Sequence, residues 1–430
     1  MSDLSLNDLK LILGNTKNAL ISGNGLSMNF DNSFCNIYSD LFKSHKKVIY
    51  ETKYDVNANK EFKTKLTKNY KSVLQHLRLI DEEYLNKLFQ DGVEFSNSIY
   101  ENEELYKELK KNDYFNELSF GLTQWDILKQ ICDTGVEYGF RYVNVEHWSI
   151  LIYFYAAIKR LNLRTYRIPS NNTFIRAIER GDIHKSKLLG NDKNNYMVEF
   201  VLLNGFFTYY RMLFSTRIFS DGKAIDIDKQ DKKDGISLNS IRNFLNSFDE
   251  LFTLNFDHIV EQLTKRDVVH IHGEFVINQK EYVYSQSYNL IYNGKSISFS
   301  DILIGDYFMA KVYLPEISRL SAIRNPNNKK LISPYDKFKN GLNRSEVETV
   351  IIFGMSIEND YHIIRYLMLI FHELKVEKPH IVYSYFNEKE KKEFEERYFM
   401  LITFSNEVSQ YAKNIKVSFI KTQEILKEYF

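Results

Sequence analysis

Four short blocks carry the residue types that chemistry needs, and each follows an apolar run. Gly23-Asn24-Gly25-Leu26-Ser27 follows Asn18–Ser22. Its two glycines let backbone approach a phosphate closely, and the N-terminus of a following helix offers N–H groups and a favourable dipole. Ser27 and Asn29 add side-chain donors. The third glycine of the dinucleotide fingerprint is missing, with Met28 in its place, and a plain strand-to-helix turn fits this fragment equally well. In Thr253-Leu254-Asn255-Phe256-Asp257, an amide and a carboxylate two positions apart could fix ribose hydroxyls and a water; the same pair also suits an Asx cap on a helix Asp257–Leu263.

The third block is His270-Ile271-His272-Gly273-Glu274. His272, set before a glycine, has the type and place of a general base near neutral pH; the plainer reading is a hydrogen-bonded structural histidine. Strand alternation puts His270 and His272 on one face, but the sequence offers no third ligand beside them, so no metal is expected. The fourth block runs from Phe353 to His362 and reads FGMSIENDYH. Gly354 supplies a turn and Ser356 a hydroxyl for phosphate or ribose. Asp360 could touch the same ligand, although capping the next helix suits it better.

The elements that must position these blocks are short strands. Leu4–Leu13 has helical spacing and leads into the strand Asn18–Ser22. Strand-like runs return at Glu250–Leu254, Val268–Ile271, Thr349–Phe353, His380–Tyr385 and Lys416–Ile420, with helical stretches at Asp360–Leu374 and Glu388–Phe404. Strand–helix alternation predicts an α/β fold: a Rossmann-like parallel sheet whose carboxyl edge binds ligands. From about Glu51 to Phe248 the pattern is mainly helical, as at Asn69–Leu88, Leu122–Gly135 and Val145–Leu161. Loop signals interrupt it at Pro169–Asn172 and in the charged run Asp226–Gly235. The expected organisation is a core of residues 1–49 and 246–430, interrupted by a large, mainly helical insertion, 50–245.

Bulk composition sets outer limits. At 430 residues the chain is long for one compact domain. The formal net charge of +1 gives no support for direct nucleic-acid or membrane attraction. The 32 Phe and 30 Tyr could stack on bases, but biased composition and core packing explain them better. Cys35 and Cys132 alone cannot form a four-thiolate zinc site, and so few cysteines suit a reducing, cytoplasmic setting. The N-terminus shows no secretory signal pattern. The longest apolar stretch, Trp148–Ile158, is too short to span a bilayer.

Taken together, the four blocks resemble those of a sirtuin-like domain of the silent-information-regulator type. Such domains carry a GAG[IL]S phosphate loop, an [QT]N[IY]D segment and a catalytic HG pair. Here these read GNGLS (Gly23–Ser27), LNFD (Leu254–Asp257) and HG (His272-Gly273). GMSIENDYH resembles the G-x-S segment that closes the NAD pocket, with its acidic residue one position later than in the GxSxxD form. The segment Arg319–Asp336, followed by VIIFGMSIENDYHI, also resembles an uncharacterised bacterial family with this fold. The matches are short islands, and the insertion carries none. Asn24 stands where alanine is usual and Phe256 where Ile or Tyr is usual. The paired cysteines of the deacylase zinc ribbon are absent.

The resemblance implies a bacterial NAD+ hydrolase that takes NAD as its substrate and acts in antiviral defence by depleting it. Gly23, Asn24, Gly25, Leu26, Ser27 and Asn29 would hold the dinucleotide with Gly354, Ser356 and Asp360. Asn255 would orient the ribose or the attacking water, Asp257 would organise the site, and His272 would take the water's proton. Such an enzyme needs restraint in healthy cells, which implies a homo-oligomer or a sensor subunit, with the insertion as a control element. The aromatic stretch His147–Tyr155 is a candidate docking surface, though helical core suits it better. Two alternatives stay open: a non-catalytic NAD or ADP-ribose-binding module, and a protein deacylase or ADP-ribosyltransferase.

Overall fold

The computed structural model describes the chain except for residues 32, 33, 35, 52, 53, 58, 59, 116, 120, 121, 185–189, 191, 231–234, 279–286, 300–333, 404 and 405. Cys35, part of the charged run Asp226–Gly235 and most of the segment Arg319–Asp336 therefore lie outside the described residues. The chain divides into two compact units. One comprises Met1–Asn36, Phe219–Phe275 and Ile332–Phe430; the other comprises Ile37–Ile218 and Val276–Leu331.

Among the described residues, the first unit is built on seven strands: β1 (Ser2–Asp3), β2 (Asn18–Ser22), β3 (Glu250–Thr253), β4 (Val269–His270), β5 (Thr349–Phe353), β6 (His380–Tyr385) and β7 (Lys416–Lys421). Their order across the sheet is β1-β7-β6-β5-β2-β3-β4, and every pairing is parallel. β2, β3, β5 and β6 are buried at every position. A parallel sheet covered by helices on both faces has no polar side, so its inner strands read as continuous apolar runs. This is the α/β, Rossmann-like core. From β2 the chain steps outward through β3 to β4, then returns to lay β5 on the other side of β2. The strand order reverses there, and such a reversal opens a crevice at the carboxyl ends of the strands.

The helices of this unit follow local signals. In α1 (Leu6–Asn15), Ser5 and Asp8 form a reciprocal capping box. After β2 comes only a four-residue helix, α2 (Asn24–Ser27). α3 (Leu238–Asn246) is capped by Ser237, and α4 (Ile259–Thr264) follows β3. α5 (Pro334–Arg344) precedes β5 and α6 (Ile357–Leu374) follows it. α7 (Glu388–Ile402), α8 (Asn406–Ala412) and α9 (Thr422–Tyr429) follow. Leu20, Leu26, Phe30, Ile241, Phe244, Ile259, Ile351, Phe353 and Ile420 share one buried core.

The second unit is mainly helical, but not wholly. Its helices include Lys60–Leu77, Glu82–Tyr100, Gln124–Glu137, Ser149–Leu161 and nearly all of Gly205–Phe219. The single helix expected over Asn69–Leu88 is two helices, because Asp81 caps the start of the second. A four-stranded sheet joins Tyr54–Asn57, Ser287–Tyr292, Lys295–Phe299 and Phe275–Ile277. The expected boundaries, 49/50 and 245/246, therefore differ from the observed ones. Tyr38 packs edge-on to Phe214 at 5.5 Å and His45 bonds Tyr209 at 2.7 Å, which ties residues 37–49 to the helical unit. Phe219 packs on Phe275 at 5.4 Å, Lys223 pairs with Asp31 at 2.6 Å, and α3 enters the sheet unit's core, which keeps residues 219–245 with the sheet. The described residues 276–278 and 287–299, sequence-distant from the insertion, belong to the second unit as well.

The stretch His147–Tyr155 is core. Trp148, Tyr153 and Tyr155 are each 1 % exposed, so it presents no docking surface. No helix among the described residues is long and apolar enough to cross a membrane.

Candidate functional site

Because the sheet is parallel, β2, β3, β4 and β5 all end on one edge. The loops that leave them carry Gly23–Ser27, Asn255–Asp257, His272 and Gly354–Ser356, and direct contacts join these loops. The Gly23 amide donates to the Phe353 carbonyl and the Gly25 amide to the Gly354 carbonyl, both at 2.9 Å. A Cβ on Gly23 would lie 2.4 Å from the Gly354 oxygen, and one on Gly25 2.7 Å from the Gly354 Cα. Gly354 itself has φ +68°. These glycines are required for one loop to pass against the other.

That use corrects part of the sequence expectation. The amides of Gly23, Gly25 and Leu26 donate within the protein, the last to Gly23 at 3.0 Å, so they are not open donors for a phosphate. Leu26 and Ser27 are buried. The Asn29 amide donates to the Gly25 carbonyl at 2.7 Å, and the exposed Asn24 amide to the Phe34 carbonyl at 3.1 Å. Ser356 is exposed at the N-cap of α6, with no side-chain capping bond. Ser356, not Asp360, holds the N-cap position of α6; Asp360 lies within the helix at a kink where two helical stretches meet, φ −120° and ψ 22°.

Around Asn255 the hydrogen bonds form a chain. Its side-chain nitrogen donates to the Gly23 carbonyl at 3.1 Å and to Ser27 Oγ at 2.7 Å. Ser27 Oγ donates in turn to Asp257 Oδ2 at 2.7 Å, and Asp257 Oδ1 accepts the Ile259 amide at 3.1 Å. Of the two roles open to Asp257, the Asx cap is present through Oδ1, while Oδ2 holds Ser27 Oγ. Burial pushes the Asp257 carboxyl above its usual range, against the opposing pull of Ser27 and the Ile259 amide. With both amide hydrogens engaged, Asn255 is left with Oδ1, which accepts no hydrogen bond among the described residues. The site thus presents a fixed acceptor.

His270 and His272 part company, because β4 ends at His270 and Gly273 turns the chain with φ +102°. His272 Nε2 meets His362 Nε2 at 2.9 Å, with the rings stacked at 5.1 Å. One of these nitrogens donates and the other accepts. Burial pushes His272 down to about 4. Burial first, then repulsion from the His272 ring whenever that ring is protonated, and from Arg365, hold His362 well below the ordinary histidine value. Both rings are therefore neutral at neutral pH. His270 lies in a second group. Its Nδ1 meets the Asn255 carbonyl at 2.8 Å and its Nε2 meets Glu261. Burial acts to lower its pKa, but the Glu261 hydrogen bond and charge outweigh burial and raise it.

No family model, curated protein or solved structure matches the chain. Among the described residues, two groups of potential metal ligands adjoin this edge of the sheet, His272–Asp360–His362 and His258–Glu261–His270–Glu274, each with ligand atoms within 4.8 Å of one another. The third ligand that the sequence did not supply comes from α6 in one group and α4 in the other. His362, His258, Glu261 and Glu274 were missed as site residues. Glu274 and His362 close the third and fourth blocks, and His258 and Glu261 follow Asp257 by one and four positions, so spacing from the block residues was the available signal.

Proposed function

We propose that this protein cleaves the nicotinamide–ribose bond of NAD+, as the sirtuin-like domains it resembles would, releasing nicotinamide and ADP-ribose. One observation carries the reading: the loops bearing Gly25, Asn255, His272 and Ser356 leave parallel strands on a single edge, around the point where strand order reverses. That is where open α/β sheets bind nucleotides.

Asn255 Oδ1 would accept a hydrogen bond from a ribose hydroxyl or the attacking water, and its dipole would favour the cationic ribose of the transition state. The nicotinamide leaves with the electron pair of the glycosidic bond. The water oxygen bonds the ribose carbon, and its proton passes to the neutral His272. His362 holds the His272 ring, while Asp257 acts through Ser27 to fix the Asn255 amide. With the glycine-loop amides engaged, pyrophosphate contacts fall to the exposed side chains of Asn24 and Ser356. On the same resemblance, the biological outcome is NAD+ depletion during viral infection, with activity restrained by oligomerisation or a sensor subunit.

A second reading, a non-catalytic NAD or ADP-ribose-binding module, draws support from how fully Ser27 and Asp257 are engaged with each other. Incubating the full chain with NAD+ and separating the products by chromatography tests both. Nicotinamide and ADP-ribose should appear with the wild-type chain and vanish with Asn255→Ala and His272→Ala. Undiminished release by Asn255→Ala overturns the enzymatic reading. Tight ADP-ribose binding without nicotinamide release establishes the binding module in its place, whereas release that requires an acylated peptide would mark a deacylase.

A further inference from the structure

We infer that His258, Glu261, His270 and Glu274 form a binding site for one zinc ion beside the loop that carries Asn255. The four side chains come from two short segments. His258 immediately precedes α4 and Glu261 lies in its first turn; His270 closes β4 and Glu274 follows the turn at Gly273. The pattern H-x-x-E followed by H-x-x-x-E folds back so that all four ligand atoms lie within 4.8 Å of one another.

Three features point to a cation. The first is the His270 ring. Its Nδ1 faces the Asn255 carbonyl, an acceptor, so that nitrogen carries a hydrogen. Its Nε2 faces the Glu261 carboxylate, also an acceptor. In a neutral imidazole, Nε2 would then set lone pair against lone pair, so a proton or a metal ion must lie between them. The second is the other oxygen of Glu261. Oε2 is buried and has no hydrogen-bond partner among the described residues. Buried carboxylate oxygens are seldom left so, and a coordinated ion would satisfy it. The third is spacing. Glu274 Oε2 lies 3.6 Å from His258 Nε2 and 3.9 Å from His270 Nε2. Ligands about 2.0–2.1 Å from a tetrahedral ion are about 3.3–3.4 Å apart, so Glu274 stands near that spacing, while His270 Nε2 and Glu261 Oε1, now in direct contact, would part by side-chain rotation to admit the ion.

Two imidazoles and two carboxylates neutralise a divalent charge and match the nitrogen and oxygen preference of zinc. On binding, His258 would exchange its Nε2 contact with the Phe275 carbonyl, 2.6 Å away, for the metal. His270 would keep its Nδ1–H bond to the Asn255 carbonyl, as metal-bound histidines commonly do with their other ring nitrogen. The ion would then brace the backbone of Asn255 through His270. This inference stands on the ligand geometry and does not require NAD+ cleavage.

The test uses the untagged full chain, stripped with chelator and titrated with zinc sulfate by calorimetry, with bound metal counted by mass spectrometry and melting followed in parallel. One equivalent of zinc should bind and raise the melting temperature. Glu274→Gln and His258→Gln, at half-buried positions that tolerate substitution best, should each weaken zinc binding roughly tenfold or more and abolish the thermal shift. Asp360→Asn, in the other histidine group, should bind zinc as wild type does. Absence of stoichiometric zinc binding by the folded wild-type chain overturns the proposal. So does wild-type affinity in both the Glu274 and His258 variants, or loss of binding in the Asp360 variant alone.

Discussion

Ser27 and Asp257 stand 230 residues apart in the chain, and their side chains meet at 2.7 Å in the protein interior. The same Ser27 oxygen accepts a hydrogen from Asn255. One hydroxyl therefore joins the loop after β2 to the loop after β3 and sets which end of the Asn255 amide is left for a ligand.

Ser27→Ala tests that link. It leaves a buried carboxylate with one fewer donor, at a cost of about 1–3 kcal/mol in stability. It also removes one of the two acceptors that hold the Asn255 amide. Nicotinamide release should fall by roughly a hundredfold, as expected when a reacting group is displaced by about 1 Å. Urea denaturation and product chromatography read the two effects separately. A variant with normal activity would show that Asn255 does not depend on this tether.

The glycine loops make a steric prediction. Gly23→Ala brings a methyl group 2.4 Å from the Gly354 oxygen, and the obstacle is backbone. The two loops must separate, so the variant should lose about 2 kcal/mol or more and melt several degrees lower. Gly14→Ala is the control, since a Cβ there meets nothing within 4 Å. It should match or exceed the wild-type melting temperature, because alanine is favoured over glycine inside a helix.

His272 and His362 should separate by kinetics. His272→Ala removes the group assigned to take the proton and should abolish turnover. His362→Gln retains a polar partner for the His272 ring while removing the imidazole. Its expected effect is a partial fall in kcat with KM little changed, because His362 acts through His272. Equal and complete loss in both variants would instead make the two rings a single catalytic unit.

Acid should destabilise the helical unit through His147. Burial pushes this side chain down to about 3, whereas in the unfolded chain it titrates near the ordinary value of about 6.5. Between those limits the unfolded chain takes up a proton that the folded chain refuses. Stability is therefore unaffected above about pH 6.5 and falls as pH drops through the window, by at most about 1.4 kcal/mol per pH unit for this one group. His45, held at about 4 chiefly by burial, acts in the same direction. Urea midpoints at pH 7.5, 6 and 5 should fall less steeply for His147→Gln than for wild type. Identical slopes would remove His147 from the account.

Much of the sheet was legible from the chain alone. Thr349–Phe353 and His380–Tyr385 are strands over the residues their apolar runs suggested, and Glu250–Thr253 and Lys416–Lys421 differ by a single residue. Strands buried on both faces must be apolar throughout, so composition over five or six residues marks them. The glycine, asparagine and histidine blocks were found as strand-end loops for the same reason. The boundaries of the second unit were less legible. Tyr38 and Phe214, or Phe219 and Phe275, choose their partners by packing across long stretches of chain, which no local periodicity records.

The sequence by itself determined the types of residue at the strand ends and the parallel α/β character of the core, because both depend on short-range pattern and on which side chains tolerate burial. Tertiary structure alone decided how those residues are used. It turned Gly23 and Gly25 toward Gly354, gave His272 to His362 and His270 to Glu261, and joined Asn255 to Asp257 through Ser27. Hydrogen bonds and steric contacts act over about 3 Å in space whatever the separation along the chain, so only the folded chain could make those assignments.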